Sequence, residues 1–137
     1  MTPTQRSLAK HCAGPTSTTQ PMTYLASPYS DRDPSVVLRR FNETCEAAAI
    51  MLRMGTLVFS PIAHSHSIAL CGLGGSFADW IEFDQWFLER CDKLTILKLV
   101  GWQNSKGIKA EVAMARGLKK PITTTTLPML RAAVKVR

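Results

Sequence analysis

Short apolar runs and helical patterns alternate along most of this chain. Four runs rich in apolar and β-branched residues are each followed, directly or after a loop, by a segment whose apolar residues recur at helical spacing. Such alternation is typical of a parallel sheet whose crossover helices cover both faces. The pattern therefore predicts an α/β fold with one doubly wound parallel sheet of four to five strands, Rossmann- or flavodoxin-like. The predicted strands are Thr23–Ala26, Thr56–Ser60, Lys93–Val100 and Lys120–Thr125, and the predicted helices are Ser35–Met54, Phe77–Arg90, Ser105–Gly117 and Leu127–Val136.

The length and the composition of the chain bound its organisation. With 137 residues, of which 45% are hydrophobic, it can build one domain with a core but not two. Residues 1–21 are rich in Thr, Ser, Pro and Gln, so we expect a disordered N-terminal extension. Residues 22–137 then form a single domain. Within it, residues 61–76 are predicted to form a long loop with room for one helical turn at Ser67–Cys71.

The net charge of +7 is a property of the chain ends. Residues 1–21 hold two basic residues and residues 116–137 hold six, and neither segment holds an acidic residue. Residues 22–115 hold nine basic and ten acidic residues. Basic ends of this kind either solvate the protein and complete helix C-termini or bind nucleic acid, and we expect the former, without a nucleic-acid partner.

The cysteines and the hydropathy of the chain bear on its location. The cysteines are spread singly, without a CxxC pair, which predicts reduced thiols in a cytoplasmic protein. No apolar run approaches the roughly 18 residues of a membrane span, so we expect no membrane partner. The cysteines are Cys12, Cys45, Cys71 and Cys91.

One strand-to-helix loop carries the residues best placed for chemistry. The apolar run Leu94–Val100 leads into Gly101–Ser105, and the helix that leaves this loop carries Glu111 in its first two turns. Ligands of open α/β sheets bind at such loops. The helix N-terminus favours an ionised carboxylate, which suits a nucleophile, and Ala115 offers no ion-pair partner four residues on. Glu111 is therefore the first catalytic candidate, and an exposed helical glutamate is the alternative.

A second carboxyl candidate lies in an aromatic stretch of the predicted helix Phe77–Arg90. Asp84 has Trp80, Phe83 and Trp86 as near neighbours in the sequence. A carboxyl among aromatic rings is desolvated, which raises its pKa and suits a general acid. On an amphipathic helix the same residue would be exposed to solvent, and the residue pattern alone favours that exposed position.

Polar residues elsewhere provide candidate substrate contacts. His64 and His66 follow the second strand, and since no third residue is spaced to complete a metal site, they are either substrate contacts or polar loop residues. Asp92 is either a turn residue or a contact. Trp102 either covers the pocket, stacks on a base, or packs the loop.

The loop after the first strand adds hydroxyl groups and a guanidinium. Tyr24, Ser27, Tyr29 and Arg32 lie where a sugar or a phosphate could bind. The chain has neither a GxGxxG fingerprint nor a P-loop. We therefore expect no nucleotide cofactor, and we expect no metal.

These residues together resemble the nucleoside 2-deoxyribosyltransferase superfamily, which includes the 2′-deoxynucleoside 5′-monophosphate N-glycosidases. The similarity runs from Met22 to about Thr125, and the chain looks closest to a small uncharacterised family of bacterial and phage proteins within that superfamily. The specific part is Asp84 eight residues before Asp92 together with Ser105-x-Gly107-x-x-x-Glu111. The accompanying segments are Tyr24-Leu25-Ala26-Ser27-Pro28-Tyr29 and Phe59-Ser60-Pro61-Ile62 with the following histidine pair.

The resemblance implies roles residue by residue. Glu111 corresponds to the nucleophile that attacks the anomeric carbon, Asp84 to the carboxyl that protonates the leaving base, and Tyr24 to the tyrosine that orients the nucleophile. Ser105 and Gly107 correspond to the loop that contacts the sugar or its 5′ group. The glycine- and arginine-rich phosphate loop of the N-glycosidases is replaced here by residues 28–32. The remaining candidate substrate contacts are Ser27, Pro28, Tyr29, His64, His66, Asp92 and Trp102.

The function implied by this resemblance is enzymatic. It is cleavage or transfer at the N-glycosidic bond of a small-molecule nucleoside or nucleoside 5′-monophosphate, through a covalent glycosyl-glutamate intermediate and without a cofactor. Water and a second base are both open as the acceptor. The resemblance also implies a homo-oligomer. The alternatives are a non-catalytic nucleotide-binding or regulatory module of the same fold and a nucleic-acid binder that uses residues 116–137.

Overall fold

A four-stranded parallel sheet lies at the centre of the described structure. The computed structural model describes residues 20–74 and 76–135. Along these residues strands and helices alternate, which confirms the predicted α/β class. The strands are β1 (Met22–Ala26), β2 (Leu57–Phe59), β3 (Lys93–Leu97) and β4 (Ile122–Thr125). The helices are α1 (Pro34–Arg53), α2 (Pro61–Ala69), α3 (Phe77–Arg90), α4 (Lys106–Gly117) and α5 (Leu127–Lys135).

The order of the strands creates a crossing point in the middle of the sheet. The order is β2-β1-β3-β4, and each neighbouring pair is parallel. Tyr24 of β1 pairs with Phe59 of β2 on one side and with Leu94 of β3 on the other. The chain leaves β1 toward one edge and returns past it to form β3. The carboxyl ends of β1 and β3 therefore flank the topological switch point, where sheets of this kind bind ligands.

Alternating side chains of the strands bury two apolar faces. Tyr24 and Ala26 pack on one face against Leu88 of α3 and Ile108 of α4. Leu25 packs on the opposite face with apolar residues of α1 and α5. Because successive side chains of a strand point to opposite faces, both faces need a helical layer. These layers bury β1 and β3, whose carboxyl ends form the switch point.

Polar residues at the ends of loops set where three helices begin. Asp33, Ser60 and Ser105 each accept a hydrogen bond from a backbone N–H two or three residues further on, at 2.9, 3.0 and 3.2 Å. These bonds satisfy N–H groups that a helix leaves free at its N-terminus. Pro34 and Pro61 stand at the start of their helices, where a proline ring fits and no N–H is needed.

The structure corrects the loop predicted at residues 61–76. Pro61–Ala69 form helix α2, which is much longer than the single turn predicted in this segment. Ser60, predicted as the last residue of the second strand, is the N-cap of this helix, and Pro61, predicted as the first loop residue, is its first residue. Tertiary packing stabilises the rest of it, since His66 stacks on a phenylalanine of α1.

The other predicted elements lie within a few residues of their predicted positions, and α3 has its predicted bounds. Residues 98–100, predicted as strand, belong to a loop, and Trp102–Asn104 form a 3₁₀ turn before α4. Of the predicted N-terminal extension, residues 1–19 lie outside the described residues, as does residue 136 of the predicted closing helix. Within the described residues, no helix combines the length and the apolar character needed to cross a bilayer.

Candidate active site

A pocket of about 650 Å³ opens at the carboxyl ends of the strands. Its walls come from the loop after β1, from α2, from the N-terminal half of α3, and from the β3–α4 loop with the start of α4. It therefore lies at the switch point between β1 and β3. The structure brings together seven of the predicted site residues in this pocket: Ser27, Tyr29, His66, Asp84, Ser105, Gly107 and Glu111.

Glu111 enters the pocket from the second turn of α4. Its side chain is buried, and burial raises its pKa from 4.5 to about 8. An interaction with the hydroxyl of Tyr24 lowers the pKa of Glu111, and the negative charge of Asp84 raises it, both less than burial does. We expected the N-terminus of the helix to keep Glu111 ionised, but burial has the larger effect on its pKa. The field of a helix end acts mainly on the first turn, and Glu111 lies in the second.

Asp84 reaches the same pocket from α3. It is 6% exposed, so the structure excludes the solvent-facing alternative that the residue pattern favoured. Burial raises its pKa from 3.8 to about 7, and its Oδ1 atom has no hydrogen-bond partner among the described residues. A carboxyl that keeps its proton near neutral pH and has a free oxygen can serve as a general acid.

Tyr24 lies on β1 close to both carboxyls and is fully buried. Burial, followed by the negative charges of Glu111 and Asp84, raises the pKa of Tyr24 far above its ordinary value, so the phenol stays protonated. Its hydroxyl lowers the pKa of Glu111 and yet has no hydrogen bond of ordinary geometry with any described residue. The hydroxyl is thus a free donor, and Glu111 is a carboxyl whose pKa it lowers.

The start of α4 shapes the space next to Glu111. Ser105 caps the helix at the pocket wall. The N–H groups of Lys106 and Gly107 lie in the first turn, where a helix has no internal acceptor for them. A side chain at Gly107 would begin 3.9 Å from Oε1 of Glu111 and 3.7 Å from the ring of Phe77. The glycine therefore leaves room for a ligand beside the carboxyl.

Arg40 of α1 joins the two loops that flank the switch point. Its Nη1 donates to the carbonyls of Ser30 at 2.9 Å and Tyr29 at 3.4 Å, and its Nη2 donates to the carbonyl of Val100 at 3.2 Å. Arg40 is 9% exposed and lines the pocket, and its guanidinium pairs with no carboxylate among the described residues. Gly101 has a φ of +88°, and a Cβ there would lie 2.6 Å from Nη2 of Arg40. The guanidinium therefore requires a glycine where it crosses the loop.

The two histidines of α2 face in different directions. The ring of His66 stacks on Phe41 of α1, with centroids 3.9 Å apart, and its Nδ1 lies 2.5 Å from the hydroxyl of Tyr29. The ring of His64 instead stacks on Phe83 of α3, with centroids 5.0 Å apart. His66 lines the pocket, whereas His64 joins α2 to α3. Among the residues that the structure describes, no three His, Cys, Asp or Glu side chains cluster closely enough to hold a metal ion.

Comparisons with known proteins give a family and a solved structure of the same fold. The model of the family described as a domain of unknown function (DUF1937) matches residues 21–126. The chain belongs to this family. A similar solved structure is a 2-deoxyribosyltransferase from the psychrotolerant bacterium Bacillus psychrosaccharolyticus, with 22% sequence identity and a TM-score of 0.53, over 77% of this chain and 72% of that chain. No curated protein matches the chain. At the level of the fold, these findings confirm the resemblance to the nucleoside 2-deoxyribosyltransferase superfamily.

Several residues predicted as contacts in the DUF1937 domain lie outside the pocket lining. Asp92 precedes β3 at the amino-terminal edge of the sheet, where it exchanges hydrogen bonds with the backbone of the first residue of β1. Trp102 packs against the core, and Pro28 is fully buried. His64 packs on α3, and Arg32 is exposed. The structure therefore does not place these residues where a ligand in the pocket would touch them.

The pocket residues that were not predicted from the sequence include Arg40, Ser65, Phe77 and Trp80. Arg40 follows another arginine, and the sequence alone does not separate such a pair from two charged residues that face the solvent. Its position was a usable signal, because it shares a helical stripe with residues that are buried in α1. Ser65 lies in the segment that was predicted as a loop, and its buried hydroxyl has no partner among the described residues.

Proposed function

We propose that the DUF1937 domain acts on the N-glycosidic bond of a nucleoside or a nucleoside 5′-monophosphate, through a covalent glycosyl intermediate on Glu111. The observation that carries this proposal is the pair of buried carboxyls, Glu111 and Asp84, which face one pocket from two helices. Two carboxyls that flank the scissile bond are the usual machinery of glycoside hydrolysis. The fold shared with a 2-deoxyribosyltransferase supports the same class of reaction.

In the first step, an oxygen of ionised Glu111 forms a bond to the anomeric carbon while the bond from that carbon to the base nitrogen breaks. The electrons of the breaking bond pass to the base, and the carboxyl of Asp84 gives the base a proton. The step yields a free base, a glycosyl ester of Glu111 and an ionised Asp84. Protonation of the leaving group by a positioned acid contributes roughly 10²- to 10⁴-fold to the rate.

In the second step, an acceptor attacks the anomeric carbon and the ester bond breaks, so that its electrons return to Glu111. Asp84 takes the proton that the acceptor loses, which restores both carboxyls to their starting states. Water as the acceptor gives hydrolysis, and a second base gives transfer. Two displacements at one carbon retain its configuration.

The carboxyl pair can hold the single proton that this cycle needs. With a pKa of about 7 for Asp84 and about 8 for Glu111, the pair holds about one proton between these pH values. The reactive form has the proton on Asp84 and the charge on Glu111, and because Glu111 has the higher pKa this is the less populated of the two forms that hold one proton. The hydroxyl of Tyr24 lowers the pKa of Glu111 and so favours this form, and we assign Tyr24 as the positioning residue that donates a hydrogen bond to Glu111 once that carboxyl is ionised.

The start of α4, beside Glu111, suits the sugar and its 5′ group. Ser105 caps α4 and Gly107 lies in its first turn, where the N–H groups are free to bind an anion or a hydroxyl. Lys106 and Arg40 add positive charge to the same pocket. Phosphate and hydroxyl are both chemically suited to these donors, so the test includes nucleosides and their 5′-monophosphates.

The test is release of free base from a panel of nucleosides and nucleoside 5′-monophosphates, with and without a second base as acceptor. We compare the wild type with Glu111→Gln and Asp84→Asn, which keep the shapes of the two side chains. Glu82→Gln is the matched control, because Glu82 is an exposed carboxylate on α3. We expect base release from the wild type and the control, and at least a thousandfold less from Glu111→Gln.

Mass spectrometry tests the covalent step directly. A 2′-fluorinated nucleoside destabilises the positive charge that develops at the sugar, which slows breakdown of the ester and lets it accumulate. We expect the added sugar mass on the peptide that contains Glu111. An adduct on another residue, or full activity of Glu111→Gln, would contradict the mechanism.

The same panel separates catalysis from binding alone. If nucleotides raise the melting temperature of the wild type while no base appears, the domain is a non-catalytic nucleotide-binding module. Two further expectations accompany the proposal, a cytoplasmic location and self-association into a homo-oligomer. Sedimentation velocity over a range of protein concentrations checks the second.

A further inference from the structure

His66 carries a polar atom in the pocket that the proposed chemistry does not use. Its Nδ1 is occupied by the hydroxyl of Tyr29, and one face of its ring is covered by Phe41. His66 nevertheless lines the pocket. Nε2 is therefore the polar atom of this side chain that remains available to a ligand.

The contact with Tyr29 bears on which ring nitrogen of His66 carries the hydrogen. The hydroxyl of Tyr29 lies 2.5 Å from Nδ1, a contact in which either group can donate, and because burial raises the pKa of Tyr29 we assign its protonated phenol as the donor. A ring nitrogen that accepts a hydrogen bond carries no hydrogen itself, so the neutral imidazole carries its hydrogen on Nε2. His66 thus presents one N–H donor in an orientation set by the stack on Phe41.

The position of α2 places this donor near the leaving base. His64 stacks on Phe83, which joins α2 to the part of α3 that holds Asp84. The walls from these two helices include the apolar and aromatic side chains Ile62, Phe77 and Trp80, which suit the faces of a planar base. We expect a base protonated by Asp84 to lie against these walls with its edge toward α2.

We propose that His66 selects bases that carry an exocyclic oxo group, by donating its Nε2–H to that oxygen. This inference rests on the proposed function, because it takes the ligand to be a nucleoside or nucleotide. A base without the oxygen leaves the N–H unpaired in a desolvated pocket, which costs the hydrogen bond and the hydration of the donor. An amino group at the same position would set a donor against a donor.

A matched pair of nucleosides tests the preference. 2′-Deoxyinosine carries an oxo group at the position where purine 2′-deoxyriboside carries only hydrogen. We expect the wild type to have a higher kcat/KM for 2′-deoxyinosine than for purine 2′-deoxyriboside. The ratio of these two kcat/KM values should be about ten- to a hundredfold larger in the wild type than in a variant without the donor. Use of this double ratio removes the difference between the two leaving groups.

Two substitutions of His66 separate the donor from the structural role of the ring. In His66→Asn the amide lies near the place of Nδ1, so the contact with Tyr29 can persist while the donor at Nε2 is lost. In His66→Gln the amide reaches the place of Nε2 and can donate. We expect His66→Asn to lose the preference and His66→Gln to retain most of it. Equal ratios in the wild type and His66→Asn would overturn the proposal.

Calorimetric titration of the same two nucleosides keeps this inference distinct from the proposed function. If the wild type releases no base but binds 2′-deoxyinosine at least tenfold more tightly than purine 2′-deoxyriboside, and His66→Asn loses that difference, the catalytic proposal fails and the assignment of His66 stands. If the wild type binds both nucleosides equally or binds neither, the assignment fails. Cleavage without a preference overturns the assignment and leaves the catalytic proposal intact.

Discussion

The burial of Asp84 predicts that a neutral side chain at this position stabilises the fold above neutral pH. The pKa of Asp84 is raised from 3.8 to about 7, so the folded state holds a proton that the unfolded state has lost. A carboxyl with a raised pKa contributes stability below pH 4 that is lost as the pH rises to 7. At about 1.4 kcal/mol per pKa unit, the loss amounts to about 4 kcal/mol. Asp84→Asn has no such loss, because an amide stays neutral throughout.

Urea denaturation at pH 4.5 and pH 8 measures this effect. Most of the loss falls between these two values, so we expect the stability of Asp84→Asn relative to the wild type to rise by about 3 kcal/mol from the lower pH to the higher. Glu82→Gln, a substitution at an exposed position of the same helix, is the control and should change by less than about 0.5 kcal/mol. A difference between Asp84→Asn and the wild type that is the same at both pH values would refute the argument that burial sets this pKa.

Three further predictions follow from the geometry of the pocket. If the proposed reaction occurs, a plot of kcat/KM against pH should be bell-shaped with its maximum between pH 7 and 8, because the two carboxyls must share one proton. A plateau of kcat/KM above pH 9 would contradict this. Arg40→Met should lower the free energy of unfolding by about 2 kcal/mol in urea titration and weaken nucleoside binding in calorimetry, because its hydrogen bonds to two loops are lost. Arg39→Met, at an exposed position, should change neither the stability nor the binding. Gly101→Ala should cost about 1–2 kcal/mol in the same denaturation assay, because of its positive φ and the crowding by Arg40, and Gly117→Ala, which meets no atom within 4 Å, should not.

The fold could be predicted from the sequence because its signals are local. Each buried strand is an apolar run, and α3 has both a clear helical period and its predicted bounds. The exception is α2, whose start at Ser60 and Pro61 resembles a turn when it is taken alone. Its helical state depends on contacts with α1 and α3, and such contacts cannot be inferred from spacing along the chain.

The candidate site was predictable only in part. Glu111 follows a strand-to-helix loop at a position that sequence alone can recognise, and the structure places it in the pocket. Its ionisation was not predictable, because that depends on burial by residues distant in sequence. Asp92 shows the reverse case, since a position between α3 and β3 suits a turn as well as a contact, and only the sheet register shows that it lies at the opposite edge.

The buried polar atoms that lack partners indicate where the fold gives up stability. Of the five such side-chain atoms among the described residues, three belong to Arg40, Ser65 and Asp84, which line the pocket, and a fourth is the hydroxyl of Tyr24 beside Glu111. Folded proteins leave few buried polar groups unpaired, because each one costs about 1–3 kcal/mol. Four of these five unpaired atoms lie in or beside one pocket, which is the arrangement that a site for a polar ligand requires. A ligand that pairs with these atoms should therefore raise the melting temperature of the wild type more than that of Asp84→Ala, whose methyl group can neither donate nor accept a hydrogen bond.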